Sequence, residues 1–257
     1  YLFNLTDALE KMVPLLDLSS AQAVSSALLI FVEMTDQMSA LVLNIYEFNL
    51  FPKIVGFLRV PELISSALPL IGNLSYCQAT QADCLLQLGI FDILMELMDS
   101  EYIADVFWVL SNLVESIPHK TVNLFNEDFI EQTIDIATRS SFEVKRESTF
   151  FLATLIMFVA NEDLVYFMND NILQLMFELL EFNVTGVVLR CIDALIKFAI
   201  FIEVRETSDS FTDAFHSEEY IEILNNLESN SDIKLIQERA ECLLSKLEGD
   251  SSSPLAA

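Results

Sequence analysis

Turn-forming residues are scarce in this sequence, which has only five glycines and six prolines among its 257 residues. A protein with many β-strands needs such residues at each of its frequent turns. Hydrophobic residues nevertheless make up 53% of the chain, so it can bury a large core. The composition therefore argues against a many-stranded β fold and favours helices joined by short turns.

Basic residues are also scarce, with 13 lysines and arginines against 39 acids, for a formal net charge of −26. Direct nucleic-acid binding needs a basic footprint, so the balance argues strongly against it. A charge of this sign draws in basic partners by long-range attraction that salt weakens. A solvated acidic surface without such a partner explains the charge equally well.

The sequence has no recognisable catalytic or metal-binding motif. It contains no nucleophile–base pair, no glycine-rich phosphate loop and no cluster of metal ligands. The cysteines have no CxxC spacing and sit in apolar helical patterns, which predicts buried, reduced thiols of an intracellular protein. We therefore expect neither an enzyme nor a cofactor. These cysteines are Cys77, Cys84, Cys191 and Cys242.

Long apolar runs are absent as well. The longest, residues 150–160, is too short to span a bilayer, and Arg190, Asp193 and Lys197 interrupt the run at 187–202. We expect no membrane span. No signal peptide opens the chain, which starts at Tyr1 without a methionine, so we expect a piece of a longer protein.

The chain instead contains a repeated pattern. Short helical segments start near residues 50, 90, 129, 172 and 220, at offsets of 40, 39, 43 and 48 residues. A further short helix precedes most of these segments, as at 37–48, 78–88 and 163–168. A longer, more apolar helical pattern follows each short segment, and one more precedes the first. These longer patterns cover residues 22–35, 61–76, 102–115, 142–159, 184–203 and 232–247.

Three helices in about 40 residues predict an all-α, right-handed superhelical solenoid of armadillo repeats, whereas two would indicate HEAT repeats. We expect about five repeats and a closing one over residues 1–248, and a disordered tail at 249–257. The residue before each second helix is one that tolerates a left-handed backbone, which predicts a sharp turn there. These residues are Asn49, Gly89, Asp128 and Asn171.

The third helix of each repeat is expected to line a concave groove. Trp108, the only tryptophan, and Asn112 stand four residues apart, and Asn73 occupies the matching place one repeat earlier. The indole could stack on the stem of a lysine or arginine, while the two amides hold a peptide backbone. Asp105 and Glu147, at i−3 from Trp108 and Phe150, could bind the cationic heads. An ordinary core tryptophan and solvated surface acids remain the alternatives.

The sequence around these residues resembles the importin-α family of nuclear import adaptors. The similar blocks are ALPLIGNLSY (67–76), FDILMELMDSEYIADVFWVLSNLVES (91–116), FEVKRESTFFLATLI (142–156) and EEYIEILNNLESNSDIKLIQERAECLLSKLEG (218–249). By this resemblance the chain corresponds to the C-terminal half of the family's armadillo domain. Its minor peptide site is implied at Trp108, Asn112, Asn73, Asp105 and Glu147. The family's usual groove residues are replaced at Leu29, Glu33, Pro69, Phe150 and Thr154.

The resemblance implies a protein of the cytoplasm and nucleus that binds lysine- and arginine-rich nuclear localisation signals of cargo proteins. It implies importin-β as a partner, and a nuclear export receptor and nucleoporins at the C-terminal repeats. An armadillo scaffold for cytoskeletal or signalling partners, with an incidental Trp108/Asn112 pair, is the alternative.

Overall fold

The computed structural model describes residues 2–182, 184–205 and 210–247, and within these ranges every regular element is helical. The predicted all-α class is therefore confirmed. The tail predicted at 249–257 lies outside the described residues. By its internal contacts the chain forms two compact units, unit 1 at residues 1–121 and unit 2 at residues 122–257.

Unit 1 repeats a succession of two short helices and one longer, more buried helix. The longer helices are the third of each repeat, and each packs along the third helix of the next, α2 on α5 and α5 on α8. The helices are α1 (Leu2–Met12), α2 (Ala21–Gln37), α3 (Leu41–Glu47), α4 (Phe51–Phe57), α5 (Ile64–Ser75), α6 (Ala79–Gln87), α7 (Ile90–Leu97), α8 (Ile103–Ser116) and α9 (Pro118–Thr121).

Unit 2 follows the same succession, and its third helices α11, α13 and α16 pack on one another in that order. One first helix, predicted at 163–168, is instead the 3-10 segment Asn161–Phe167. The helices are α10 (Glu127–Arg139), α11 (Phe142–Phe158), α12 (Asp170–Leu180), α13 (Thr185–Arg205), α14 (Ser210–Phe215), α15 (Glu218–Asn230) and α16 (Lys234–Leu247).

The third helices supply much of the core because they are apolar on most of their faces. In α8, Phe107, Val109, Leu110 and Leu113 are almost completely buried. Burying residues in every direction requires neighbours on every side, which the stacked third helices and their own second helices provide. The six longer patterns read from the sequence match these six helices to within about three residues at each end.

The predicted left-handed turns are present in only two of the four places. Asn49 and Gly89 have φ of 54° and 78° and precede α4 and α7. The prediction is wrong for Asp128 and Asn171, which lie inside the first turns of α10 and α12. Those helices begin differently, with a side-chain cap that bonds a first-turn N–H and makes a left-handed residue unnecessary. The capping residues are Asn126 and Asn169, which accept from the N–H of Phe129 at 3.0 Å and of Asn171 at 2.8 Å.

Within the described ranges, no single helix has both the length and the apolar character needed to cross a bilayer. Residues Phe51–Phe57 and Pro61–Ser75 reach that length and hydropathy only together, and they are bent by 110° at the break between them.

Candidate peptide-binding face of the third helices

Trp108 lies directly against Gly72 of the preceding third helix. A Cβ atom placed on Gly72 would stand 1.9 Å from Cζ3 and 2.3 Å from Cη2 of the indole, far closer than non-bonded carbons approach. Only a glycine therefore allows α8 and α5 to approach with the indole between them. The six-membered ring of Trp108 packs on the backbone of α5, and the residue as a whole is half-buried.

Asn112 completes this contact through a hydrogen bond. Its Nδ2 donates to the carbonyl oxygen of Gly72 at 3.0 Å, and the side chain is 9% exposed. Asn73 makes the same kind of bond one repeat earlier. Its Nδ2 donates to the carbonyl of Val32 at 3.2 Å and to Oγ1 of Thr35 at 2.9 Å. Both asparagines thus tie one third helix to the third helix before it.

The same position in unit 2 is a lysine with the same kind of partner. Nζ of Lys197, on α13, donates to the carbonyls of Ile156 and Val159 at 2.7 Å and of Met157 at 3.2 Å, all at the C-terminal end of α11. We call Asn73, Asn112 and Lys197 the bridging residues. The sequence shows their common register but not these bonds, because the acceptors are backbone carbonyls, which no sequence pattern marks.

The two acids predicted for the site lie in different units. Asp105 is half-buried in the first turn of α8, one turn before Trp108. Glu147 is on α11, and its Oε1 is 2.7 Å from the neighbouring guanidinium of Arg146. The structure therefore groups Trp108, Asn112, Asn73 and Asp105 in unit 1, and places Glu147 in unit 2.

The third helices of unit 1 carry only negative charge. The sequences of α2, α5 and α8 contain no lysine, arginine or histidine. Negative charge without competing bases favours a cationic ligand over an anionic one. The acids on these helices are Glu33, Asp36, Asp105 and Glu115.

In unit 2, the aromatic position equivalent to Trp108 is Phe150, and it already faces a cation. Cζ of Arg190 lies 5.5 Å from the centroid of the Phe150 ring. Asp193, three residues after Arg190 on α13, is also paired: its Oδ1 is 3.0 Å from Nε of Arg239 on α16. Burial raises the pKa of Asp193, while Arg239 and Arg190 act in the opposite direction. The cations that bind these groups thus come from the chain itself.

The cysteines lack the features of reactive nucleophiles. Burial raises the pKa of Cys77 and of Cys191 to about 12, so both remain thiols at neutral pH. All four are free cysteines, but Cys77 and Cys84 are only half-buried, against the expectation of buried thiols. In the described part of the chain, no three histidine, cysteine or acidic side chains are grouped so that they could hold a metal ion.

Comparison with known proteins identifies the fold. No protein-family model matches the chain, and no curated protein matches it in sequence. Among solved structures, the designed armadillo repeat protein YIII(Dq)4CqI is 19% identical, with a TM-score of 0.69 over 93% of this chain and 99% of its own.

Two further designed proteins give the same result. The designed armadillo repeat protein YIII(Dq.V1)4CPAF, in complex with the peptide (KR)4, has a TM-score of 0.64 at 18% identity. A computationally designed armadillo repeat protein for modular peptide recognition also has a TM-score of 0.64 at 18% identity. Both alignments cover 93% of this chain and 99% of the designed protein. The chain therefore has the armadillo-repeat fold. The resemblance to the importin-α family stays a prediction.

Proposed function

We propose that this protein is a peptide-binding armadillo scaffold whose unit 1 binds lysine- and arginine-rich segments of other proteins. The observation that carries the proposal is the third-helix face of unit 1. On its three helices it combines a fixed, half-buried indole with four acids and no base.

The packing of Trp108 suits this role because it leaves the ring rigid. Contact with Gly72 fixes one part of the indole, so little conformational entropy remains to be lost when a ligand stacks on it. A lysine or arginine over the ring would gain roughly 0.5–2 kcal/mol from the cation–π interaction. In this proposal the charged head contacts the carboxylate of Asp105, which lies one turn away in the first turn of α8.

The bridging asparagines keep part of their hydrogen-bonding capacity. A primary amide has two N–H donors and a carbonyl acceptor, and Asn112 uses one N–H for Gly72. The bond fixes the orientation of the side chain before any peptide arrives. The solved complex of a similarly folded designed protein with (KR)4 supports the same class of ligand.

The more specific form of the proposal is a nuclear import adaptor of the cytoplasm and nucleus. In that role the basic segments are nuclear localisation signals of cargo proteins. The partners are importin-β and, at the C-terminal repeats, a nuclear export receptor and nucleoporins. This form rests on the sequence motifs that resemble the importin-α family.

A second candidate is an armadillo scaffold for cytoskeletal or signalling partners. The bonds of the bridging residues favour it, because they give Asn73 and Asn112 a reason to be present without any peptide. Under this alternative the Trp108/Asn112 pair is a device for packing third helices.

Titration of the chain with fluorescein-labelled (KR)4 at low and physiological salt tests the proposal. We expect affinity to fall as salt rises, because the attraction is largely electrostatic. Trp108→Ala should weaken binding by more than about threefold, as loss of one cation–π contact predicts. Trp108→Phe, which keeps an aromatic face, should recover part of the lost affinity.

Circular dichroism of each variant serves as the folding control, since Trp108→Ala also leaves a gap beside Gly72. Tyr76→Ala, which removes a 62% exposed aromatic side chain, is the matched control and should bind (KR)4 normally. If binding of (KR)4 depended on neither salt nor Trp108, the proposal would be wrong and the second candidate function would be favoured.

A further inference from the structure

Unit 2 contains a groove of about 560 Å³ where its second helices turn into its third helices. Residues of the α12–α13 turn and of the α15–α16 turn line it, and we call it the junction groove. Its lining includes the buried Leu180 and Ile236. Three further apolar side chains that line it, Phe182, Val184 and Ile233, are each between 37% and 45% exposed. Apolar surface thus faces solvent in a concave space, where a ligand gains free energy by covering it.

The corresponding space one repeat earlier, between the α10–α11 and α12–α13 turns, is closed by two aromatic rings. Phe142, the first residue of α11, and Phe182, the second residue after α12, have ring centroids 4.5 Å apart. Counted from the same helix ends, the next repeat has Thr185 and Asp232 at these two positions. Both of these smaller side chains line the junction groove. The groove therefore lies where an aromatic pair would stand if the repeat were regular.

The charged side chains that line the junction groove are negative. Glu181 and Asp232 are both exposed, and neither has an ion-pair partner among the described residues. The second helices that lead to the groove, α12 and α15, contain two and four acids and no base. The base nearest to Asp232 along the chain, Lys234, is paired with Glu238 at 3.1 Å. The groove therefore favours a cationic ligand over an anionic one.

Two amides on α15 offer hydrogen bonds to a peptide backbone. Asn226 and Asn230 are four residues apart, so they share a helix face, and both line the junction groove. Nδ2 of Asn230 donates to Oδ1 of Asn226 at 2.7 Å. Within the described ranges, no other bond occupies Nδ2 of Asn226 or Oδ1 of Asn230. An extended segment has N–H and C=O groups that match these atoms, whereas a helix bonds its own.

We propose that the junction groove binds an extended segment of a partner protein in which an aromatic side chain is flanked by lysines or arginines. The aromatic ring takes the place of the missing pair and packs against Phe182, which its contact with Phe142 holds in position. The basic side chains contact Glu181 and Asp232. A second copy of this chain is a poorer occupant, because two molecules that each carry a net charge of −26 repel one another. This site is separate from the one proposed in unit 1.

Fluorescence anisotropy of the full chain tests the proposal with two fluorescein-labelled peptides. One has a phenylalanine–leucine pair with two arginines on each side, and the other has two glycines in place of that pair. We expect the aromatic peptide to bind at least about fivefold more tightly, since only this peptide buries large apolar side chains. Thr185→Phe, which places a ring at the position equivalent to Phe142, should fill the groove and remove the preference. Thr185→Ser, which leaves the groove open, should keep it.

The double variant Glu181→Gln, Asp232→Asn tests the charge of the groove. It should weaken binding of the aromatic peptide severalfold at low salt, because it removes both acids that line the groove. The matched control is Glu131→Gln, Glu241→Gln, which removes the same charge from exposed positions of unit 2 outside the groove. This control should bind the peptide almost normally.

Two cross-tests separate this site from the one in unit 1. Trp108→Ala should leave the preference for the aromatic peptide intact, and Thr185→Phe should leave the affinity for (KR)4 intact. Circular dichroism of each variant is the folding control. Three results would overturn the proposal: equal affinities for the two peptides, a preference that survives Thr185→Phe, or a dimer in sedimentation velocity that Thr185→Phe dissociates, which would make a second copy the occupant.

Discussion

At the scale of single residues, Gly72 and Trp108 form one structural unit. The indole occupies the space that a side chain at position 72 would need. The hydrogen bond from Asn112 to the carbonyl of the same glycine fixes the approach of the two helices from a second side. Three residues from two repeats thus share one contact, and we expect a change in one to affect the other two.

We predict that Gly72→Ala lowers the free energy of unfolding by about 1–3 kcal/mol, the usual cost of overpacking a core. Chemical denaturation followed by circular dichroism measures it. Gly56→Ala is the control, because a Cβ at Gly56 in α4 meets nothing within 4 Å. It should be neutral or stabilising by up to about 1 kcal/mol, as alanine favours a helix interior over glycine. If both changes had the same effect on unfolding free energy, the contact with Trp108 would not be the reason that position 72 needs glycine.

At the scale of helices, the sequence predicts the third helices well and the beginnings of the second helices poorly. A long, nearly all-apolar segment such as Phe142–Phe158 has few alternatives to a buried helix, so its position follows from the pattern. A helix start depends instead on which neighbouring side chain captures the first N–H groups. The caps at Asn126 and Asn169 lie two residues before Asp128 and Asn171, where the left-handed turns were expected.

The candidate site could be predicted from the sequence only in part. The spacing of Trp108, Asn112 and Asn73 places them on equivalent faces, because the repeat and the helix period are both visible in the sequence. Their partners could not be predicted, since the carbonyls of Gly72 and Val32 are backbone groups that any residue has. Neither could the pairing of Arg190 with Phe150, which joins residues 40 positions apart.

The link from Lys197 to the end of α11 gives a prediction at this scale. Lys197→Met keeps most of the side-chain volume but removes three hydrogen bonds to carbonyls. We expect a loss of about 1–3 kcal/mol in unfolding free energy, typical of bonds to a charged donor. Hydrogen exchange should also become faster for amides near the C-terminal end of α11.

Lys234→Met on α16 is the control, because its exposed ion pair with Glu238 contributes only about 0.3–0.5 kcal/mol. Should both methionine variants unfold at the same denaturant concentration, Lys197 would be a surface residue without an effect on α11.

At the scale of the whole molecule, we expect repulsion among the acids to outweigh the attraction within individual ion pairs. The chain has 39 acids and 13 bases, and its surface pairs, such as Lys53 with Asp17, each contribute at most about 1 kcal/mol. A large net charge of one sign destabilises a compact state. The third helices of unit 2, with eight bases and six acids, are a local exception within this negative field.

We predict that the melting temperature rises by a few degrees between very low and physiological salt, because added ions screen the repulsion. Differential scanning calorimetry at neutral pH measures it, with sucrose at equal osmolality as an uncharged control. A melting temperature that fell as salt was added would mean that the ion pairs, rather than the net charge, dominate the electrostatics of this protein.

The contact of Trp108 with Gly72 has a practical consequence for spectroscopy. As the sole tryptophan, Trp108 alone supplies the indole fluorescence of the chain, and it lies both in the helix contact of unit 1 and on its candidate ligand face. Its emission is therefore a built-in optical reporter for unit 1, while circular dichroism records both units. The unmodified protein can thus be followed by two signals, and any difference between their unfolding curves measures how far the two halves melt independently.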